Sequence, residues 1–494
     1  MNDKITLNPN KVVTYLQKEP EDFTKADIIK FIRNNDIRMV NFRYVGGDGR
    51  LKVLNFIINH LDHLERFLSK GERVDGSSLF NYIPADSSDL YVIPRFKTAF
   101  VNPFTEIPSL DILCSYFTKD GEYLESAPER MVKKASDLLK KEHGYTMEAL
   151  GELEFYFFSE VDSIYPIIPQ KGYHESHPFS KWAFIRKEAM RFLSEIGCQV
   201  KYGHSEVGNI IEGDREMVQH EIECSLQPLE DAADQLVLAK WAIRETAYKY
   251  GLEVSFAPKI LVGQAGSGLH IHTRMIKGDR NVMVSADGIN DVARKVIAGL
   301  LELAPSLTAF GNTVPTSFLR LVPHQEAPTA ISWGDRNRSV LVRVPLGFMR
   351  AGNMVKKCNP REPDTQKKTV DSQTIELRSP DGSANVHQLL AGMAVAANYG
   401  LKNRDSLKIA RNTYVKTDAA RIEGLKQLPG SCYQAARRLL EQRSFYEDPG
   451  VFPREMIDRI AEELKSYRDE NLSEKMYGKV DVLKEVVKKY IHCG

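Results

Sequence analysis

The chain has little of what would announce a secreted, membrane-inserted or nucleic-acid-binding protein. Its 6 cysteines in 494 residues stand far apart and none form a CxxC pair. That spacing fits neither a disulfide framework nor a zinc finger, and it suits a reducing cytoplasm. No run approaches the ~18 apolar residues of a membrane span, and MNDKITLNPNKVV lacks a basic start followed by an apolar core. Charge is almost balanced, with 67 Lys plus Arg against 66 Asp plus Glu. A basic surface for nucleic acid or anionic lipid is therefore not expected, and function must rest on local charge. There is no internal repeat and no long low-complexity linker.

The content that remains is ordinary and ample. An apolar fraction of 42% can fill more than one core, and 494 residues call for at least two domains. Residues 24–34 have helical spacing behind Thr24 as cap, and IRMVNFRYV and LKVLNFII flank the turn GGDGR as a hairpin. Residues 1–115 thus read as a small α+β domain on a mostly antiparallel sheet. In residues 116–494, strand-like runs alternate with helices starting near 127, 181, 230, 288 and 385, and the chain turns mostly helical after 405. The polar stretch 350–372 reads as a long loop.

Four strand-like stretches carry polar residues two apart: Glu152 and Glu154, Glu221 and Glu223, His270 and His272, Glu376 and Arg378. Residues i and i+2 share a strand face, so each pair projects together while Leu153, Ile222, Ile271 or Leu377 points the other way. One Glu-x-Glu is usually a solvated face, but four such pairs beside apolar residues imply a polar inner surface. Burying so much charge is costly unless cations or anionic ligands balance it. Glu152, Glu154, Glu206, Glu221, His270 and Glu376 supply hard oxygen donors plus imidazole, a set suited to Mg²⁺ or Mn²⁺. Arg320, Arg336, Arg338 and Arg343 lie among apolar residues in 318–345, where guanidinium forks match carboxylate and phosphate oxygens. Gly266-Ser267-Gly268 lets backbone approach a ligand closely.

These residues stand in ordered blocks: VDGSSLFNYIPADSSDL, GELEFYFF, SEV followed by QHEIE, GSGLHIH, LRLVPHQEAP, RNRSVLVRVP and IELRSPDGSAN. In that order they resemble glutamine synthetase, most closely its bacterial class I form, over roughly residues 25–400. The resemblance implies an N-terminal β-grasp domain and a catalytic domain with a curved antiparallel sheet flanked by helices, an α+β fold. It implies ATP-dependent ligation of ammonia to glutamate through γ-glutamyl phosphate, with two or more divalent ions in each active site.

Residue by residue, it gives Glu154, Glu206 and Glu221 to the ion that orients glutamate, and Glu152, His270 and Glu376 to the ion beside the ATP phosphates. Arg320 would bind the α-carboxylate of glutamate, with Gly266 backbone nearby. Arg338 and Arg378 would steady the moving phosphoryl group, and Arg343 and His272 would face ATP. Asp75, aided by Asp89, would bind ammonium and take its proton, and Glu326 would sit on a closing flap. A homo-oligomeric ring, commonly a dodecamer, is implied, with active sites between subunits.

The sequence also departs from the family pattern. Ala265 stands where Asn usually precedes Gly-Ser-Gly. The spacing from Glu206 to Glu221 is about twice the usual, which makes Glu212 and Glu216 rival ligands. Asp371-Ser-Gln-Thr374 replaces basic nucleotide contacts, for which Lys367 or Lys368 are candidate substitutes. NTYVK around Tyr414 falls near the adenylylation site of some members, in different surroundings. Two other functions stay open: γ-glutamylation of an organic amine or polyamine, and a non-catalytic nitrogen-sensing role.

Overall fold

The computed structural model describes residues 5–322, 327–347, 353–363, 372–470, 472 and 480–494. The first sheet is built from β1 (Met39–Val45), β2 (Leu51–Ile57), β3 (Glu72–Asp75), β4 (Asp89–Pro94) and β5 (Ser109–Phe117), in the order β2-β1-β5-β4-β3. Only β1 and β5 pair in parallel; the other neighbours on this path are antiparallel. The helix Lys25–Asn34 starts where the sequence places it, because Thr24 and Asp27 close a reciprocal capping box. It packs on the sheet together with Leu61–Lys70, burying Phe31, Phe42 and Leu68 around a stacked Phe56–Phe67 pair. This is the expected β-grasp arrangement.

The second sheet holds β6 (Thr146–Glu160), β7 (Val200–Glu212), β8 (Arg215–Cys224), β9 (Leu269–Lys277), β10 (Trp333–Asp335), β11 (Val342–Val344) and β12 (Ile375–Leu377). Their order is β10-β11-β12-β9-β6-β8-β7, antiparallel throughout except for β10 with β11. Odd residues of β6, Leu153, Phe155 and Phe157, join the main core with Ile222 and Ile271. That core is completed by the helices Leu229–Lys249, Asp291–Gly311 and Val386–Lys402, which cover the sheet's outer face. The even residues of β6 are left on the inner face, as the strand period requires.

The doubled spacing between Glu206 and Glu221 is a long hairpin of β7 and β8 turning at Gly213–Asp214, with a bulge between Ser205 and Asn209. The stretch expected to be one long loop contains a short helix, Met354–Cys358, capped by the Asn353 side chain. The two sheets are tied by Arg95 to Asp234 at 2.8 Å, Lys97 to Asp231 at 2.8 Å and Arg43 over the Trp241 ring at 4.0 Å. None of the helices among the described residues is long and apolar enough to cross a membrane.

Candidate active site

Register across the second sheet assembles the polar residues. Glu152 stands opposite His270 on one side and Glu223 on the other, and Glu154 stands opposite Glu221. His272 faces Glu376, Glu376 faces Arg343, and Glu221 faces His204. Directly paired residues on neighbouring strands share a sheet face, so residues far apart in sequence form one continuous polar surface.

Two groups of metal-type ligand atoms converge on it. In the first, atoms of Glu152, His272 and Glu376 lie within 4.8 Å of one another. His270 borders this group, with Nδ1 2.9 Å from Glu152 and 3.8 Å from Glu376. Burial alone would raise Glu152, but His272 and then His270 outweigh it and hold the carboxyl well below its ordinary range. Burial would likewise raise Glu376, yet His272 and Arg378 hold it down. Burial and the Arg378 charge push His270 down to about 4. Burial works against His272 too, but Glu152 and Glu376 leave it raised. Arg343 and Arg378 donate to separate oxygens of Glu376.

The second group is His204, Glu206 and Glu221, again within 4.8 Å. Beside it Glu154 accepts hydrogen bonds from Gly268 N at 2.7 Å and Gln219 Nε2 at 3.2 Å. Burial, then Glu206 and Glu221, push Glu154 far above the carboxylate range; burial, then Glu152 and Glu206, do the same to Glu221. Buried carboxylates that raise one another in this way are the environment a divalent cation relieves, so the donor set fits Mg²⁺ or Mn²⁺.

Next to these groups lies a cavity of about 490 Å³ lined by Glu154, Glu206, Gly266, Arg320, Arg338 and Arg378, with Tyr173, Lys259 and Ala265. Arg320 is anchored through the carbonyl oxygens of Ser379 at 2.9 Å and Pro380 at 3.3 Å. The glycines are needed for close approach. A Cβ on Gly266 would lie 2.4 Å from the Pro258 carbonyl oxygen, and one on Gly268 2.7 Å from Arg320 and 2.8 Å from His270. Ala265 contributes backbone here, its carbonyl accepting from the Tyr156 hydroxyl at 2.8 Å.

Asp75 and Asp89 face each other across β3 and β4 of the other sheet, exposed, and neither is among the described lining residues of this cavity. The Asp75 carboxylate accepts from the Ser78 and Ser77 hydroxyls at 2.6 and 2.8 Å, which hold it well below its ordinary range. Glu212 and Glu216 take no part in either ligand group. Glu212 pairs with Lys484 at the hairpin tip. Glu216, on the opposite face of β8 from Glu221, is buried against Lys181 at 3.1 Å. Thr374 Oγ1 bonds His272 Nδ1 at 3.0 Å, and the Tyr414 hydroxyl donates to Asp335 at 3.0 Å. Glu326, Lys367, Lys368 and Asp371 lie outside the described residues. His204 is the functional candidate that sequence reasoning missed, although His204-x-Glu206 repeats the two-residue spacing found on the other strands.

A β-grasp domain is joined to a curved sheet lined by acids, imidazoles and arginines, and these two parts match the two domains of a family of ligases. The glutamine synthetase catalytic domain matches residues 125–476 and the glutamine synthetase β-grasp domain residues 36–119, so the chain belongs to the glutamine synthetase family. It is 31% identical to glutamine synthetase of Thermococcus kodakarensis, covering 82% of this chain and 85% of that one. Against the Thermotoga maritima enzyme the identity is 30%, over 84% and 90% of the two chains. The fold matches the cryo-EM structure of Plasmodium falciparum glutamine synthetase with a TM-score of 0.74 at 19% identity, over 93% of this chain and 97% of that one. It also matches the GmaS/ADP complex with a TM-score of 0.71 at 17% identity, over 90% and 96%.

Proposed function

We propose that the protein ligates ammonia to L-glutamate at the expense of ATP, giving glutamine, ADP and phosphate through γ-glutamyl phosphate. The observation that carries this reading is the in-register row of Glu154–Glu221, His270–Glu152 and His272–Glu376 beside an arginine-lined cavity.

Glu154, Glu206 and Glu221 would hold one divalent ion, and Glu152 and Glu376 with His270 or His272 the other. When bound, Mg²⁺ or Mn²⁺ supplies the positive charge that lets two anionic substrates meet and that stabilises the phosphoryl group in flight. Arg320 and the Gly266 backbone bind the glutamate end, and Arg343 and His272 face ATP. A γ-carboxylate oxygen attacks the terminal phosphorus of ATP and ADP leaves, while Arg338 and Arg378 follow the charge on the transferred group. Ammonium gives a proton to Asp75, aided by Asp89, and the free amine displaces phosphate from the acyl carbon. Glu326 belongs to the flap that keeps water from the acyl phosphate.

The exposure of Asp75, and its absence from the described lining of the cavity, support active sites completed between subunits of a cytoplasmic ring, a dodecamer in the form the resemblance favours. Light scattering of the purified protein measures that ring. The activity test is ADP release, which requires glutamate and ammonium together; release indifferent to ammonium removes the reading.

One observation favours a second reading. Ala265, at the cavity wall, leaves out an amide that would help fix the amino acid, which suits γ-glutamylation of an organic amine. Turnover compared on ammonium, ethylamine and a polyamine separates the two.

A further inference from the structure

His204 is held in the way a metal-binding imidazole is held. Its Nδ1 lies 3.1 Å from the Ser205 carbonyl oxygen. A carbonyl only accepts, so Nδ1 carries the hydrogen, and the ring turns Nε2 toward Glu221 Oε1 at 3.3 Å. A neutral imidazole nitrogen and a carboxylate oxygen both present lone pairs, so a cation or a second proton must lie between them. Glu206 completes the group within 4.8 Å.

The ring has little freedom to leave. His174 lies 4.2 Å from it between centroids, Tyr173 5.7 Å and Tyr202 6.0 Å. From behind the sheet, Arg186 braces the pair of residues next to it in register. Its Nη1 is 3.1 Å from Ser205 Oγ and 2.7 Å from His220 Nδ1, and Ser205 pairs with His220 just as His204 pairs with Glu221. Meanwhile one oxygen of Glu154 already accepts from Gly268 and Gln219.

We propose that His204 is a metal ligand, which with Glu206 and Glu221 makes the glutamate-side cation site of this chain an imidazole-containing one. The inference rests on the metal-dependent reading above but is read by spectroscopy, so the two can fail separately. An imidazole donor on each side of the chamber shifts preference from Mg²⁺ toward Mn²⁺, since Mg²⁺ favours an all-oxygen octahedron.

The test uses the full chain labelled with ¹⁵N-histidine, loaded with Mn²⁺ and measured by pulsed electron paramagnetic resonance. Both bound Mn²⁺ ions should couple to a histidine nitrogen. In His204→Ala one of the two couplings should vanish and that ion should bind about tenfold or more weakly, the scale of losing a metal-site partner. The proposal is overturned if the unsubstituted protein shows histidine coupling at only one ion or binds only one. It is equally overturned if His204→Ala keeps both couplings and both affinities. Because the labelled unsubstituted chain is decisive by itself, a variant that folds poorly does not remove the test. Intact coupling without ligase activity would instead sink the proposed function.

Discussion

Glu154 and Glu221 stand directly opposite one another on adjacent antiparallel strands, two buried carboxylates on one face of the sheet. Burial and neighbouring acids raise both above the ordinary value of 4.5. A carboxyl raised in the folded state contributes stability that is full below its unfolded value and is lost as pH rises through the folded one. His272, also raised, acts in the same sense, while His270, pushed down to about 4, and His220 and His174, lowered by burial, oppose it up to 6.5. Glu152 and Glu376, held down, matter only below 4.5. The metal-free protein should therefore melt at lower temperature as pH rises from about 6.5 to about 8. Mn²⁺ at a hundred times its dissociation constant should add about 2.7 kcal/mol for each ion bound and flatten that slope. Thermal melts with and without chelator measure both.

Asp75 is exposed, accepts from the Ser77 and Ser78 hydroxyls and from Ser77 N, and so caps the short helix Gly76–Leu79. Replacing it with Ala removes that cap and should lower the melting temperature slightly while keeping the fold. Ammonium-dependent ADP release should fall by about a hundredfold or more, the scale of losing a general base. Parent-like turnover would remove Asp75 from proton transfer.

Gly266 leaves no room for a methyl group, since its Cβ would meet a backbone oxygen 2.4 Å away. Gly266→Ala should cost about 1–3 kcal/mol in denaturant unfolding, as overpacking does. Because Arg320 Cγ is the next neighbour at 3.2 Å, KM for glutamate should rise more than kcat falls.

The junction between the sheets makes a different prediction. Arg95 forks onto both oxygens of buried Asp234 at 2.8 and 3.2 Å. Asp234→Ala strands the guanidinium and should destabilise the protein by about 3 kcal/mol. Arg95→Ala combined with Asp234→Ala should recover part of that loss, since the stranded guanidinium is then removed. Urea unfolding of the three variants gives the coupling, and Mn²⁺ binding should be unchanged in each.

Much of this was legible in the sequence for one physical reason: a strand repeats every two residues. Glu152 with Glu154 and His270 with His272 had to share faces, and the apolar residues between them had to pack outward. Helix starts were legible where a cap marks them, as at Thr24. Register between distant strands was not. Whether His270 or His272 meets Glu376 depends on how β9 slides along β12, and a shift in pairing would exchange them. Nor could spacing alone show that the residues between Glu206 and Glu221 form a hairpin. In β8, Glu216 and Glu221 differ by an odd number, which puts them on opposite faces once the strand is known to be continuous. His204 had the same two-residue spacing to Glu206, but only its pairing with Glu221 across β7 and β8 shows that it joins the acids.

The most direct test of the acyl-phosphate route follows oxygen. With ¹⁸O in the γ-carboxylate of glutamate, and ATP, ammonium and Mn²⁺ supplied, the phosphate released should carry one labelled oxygen, transferred as the γ-carboxylate attacks phosphorus. Phosphate free of the label, released in step with ADP, would contradict γ-glutamyl phosphate as the intermediate.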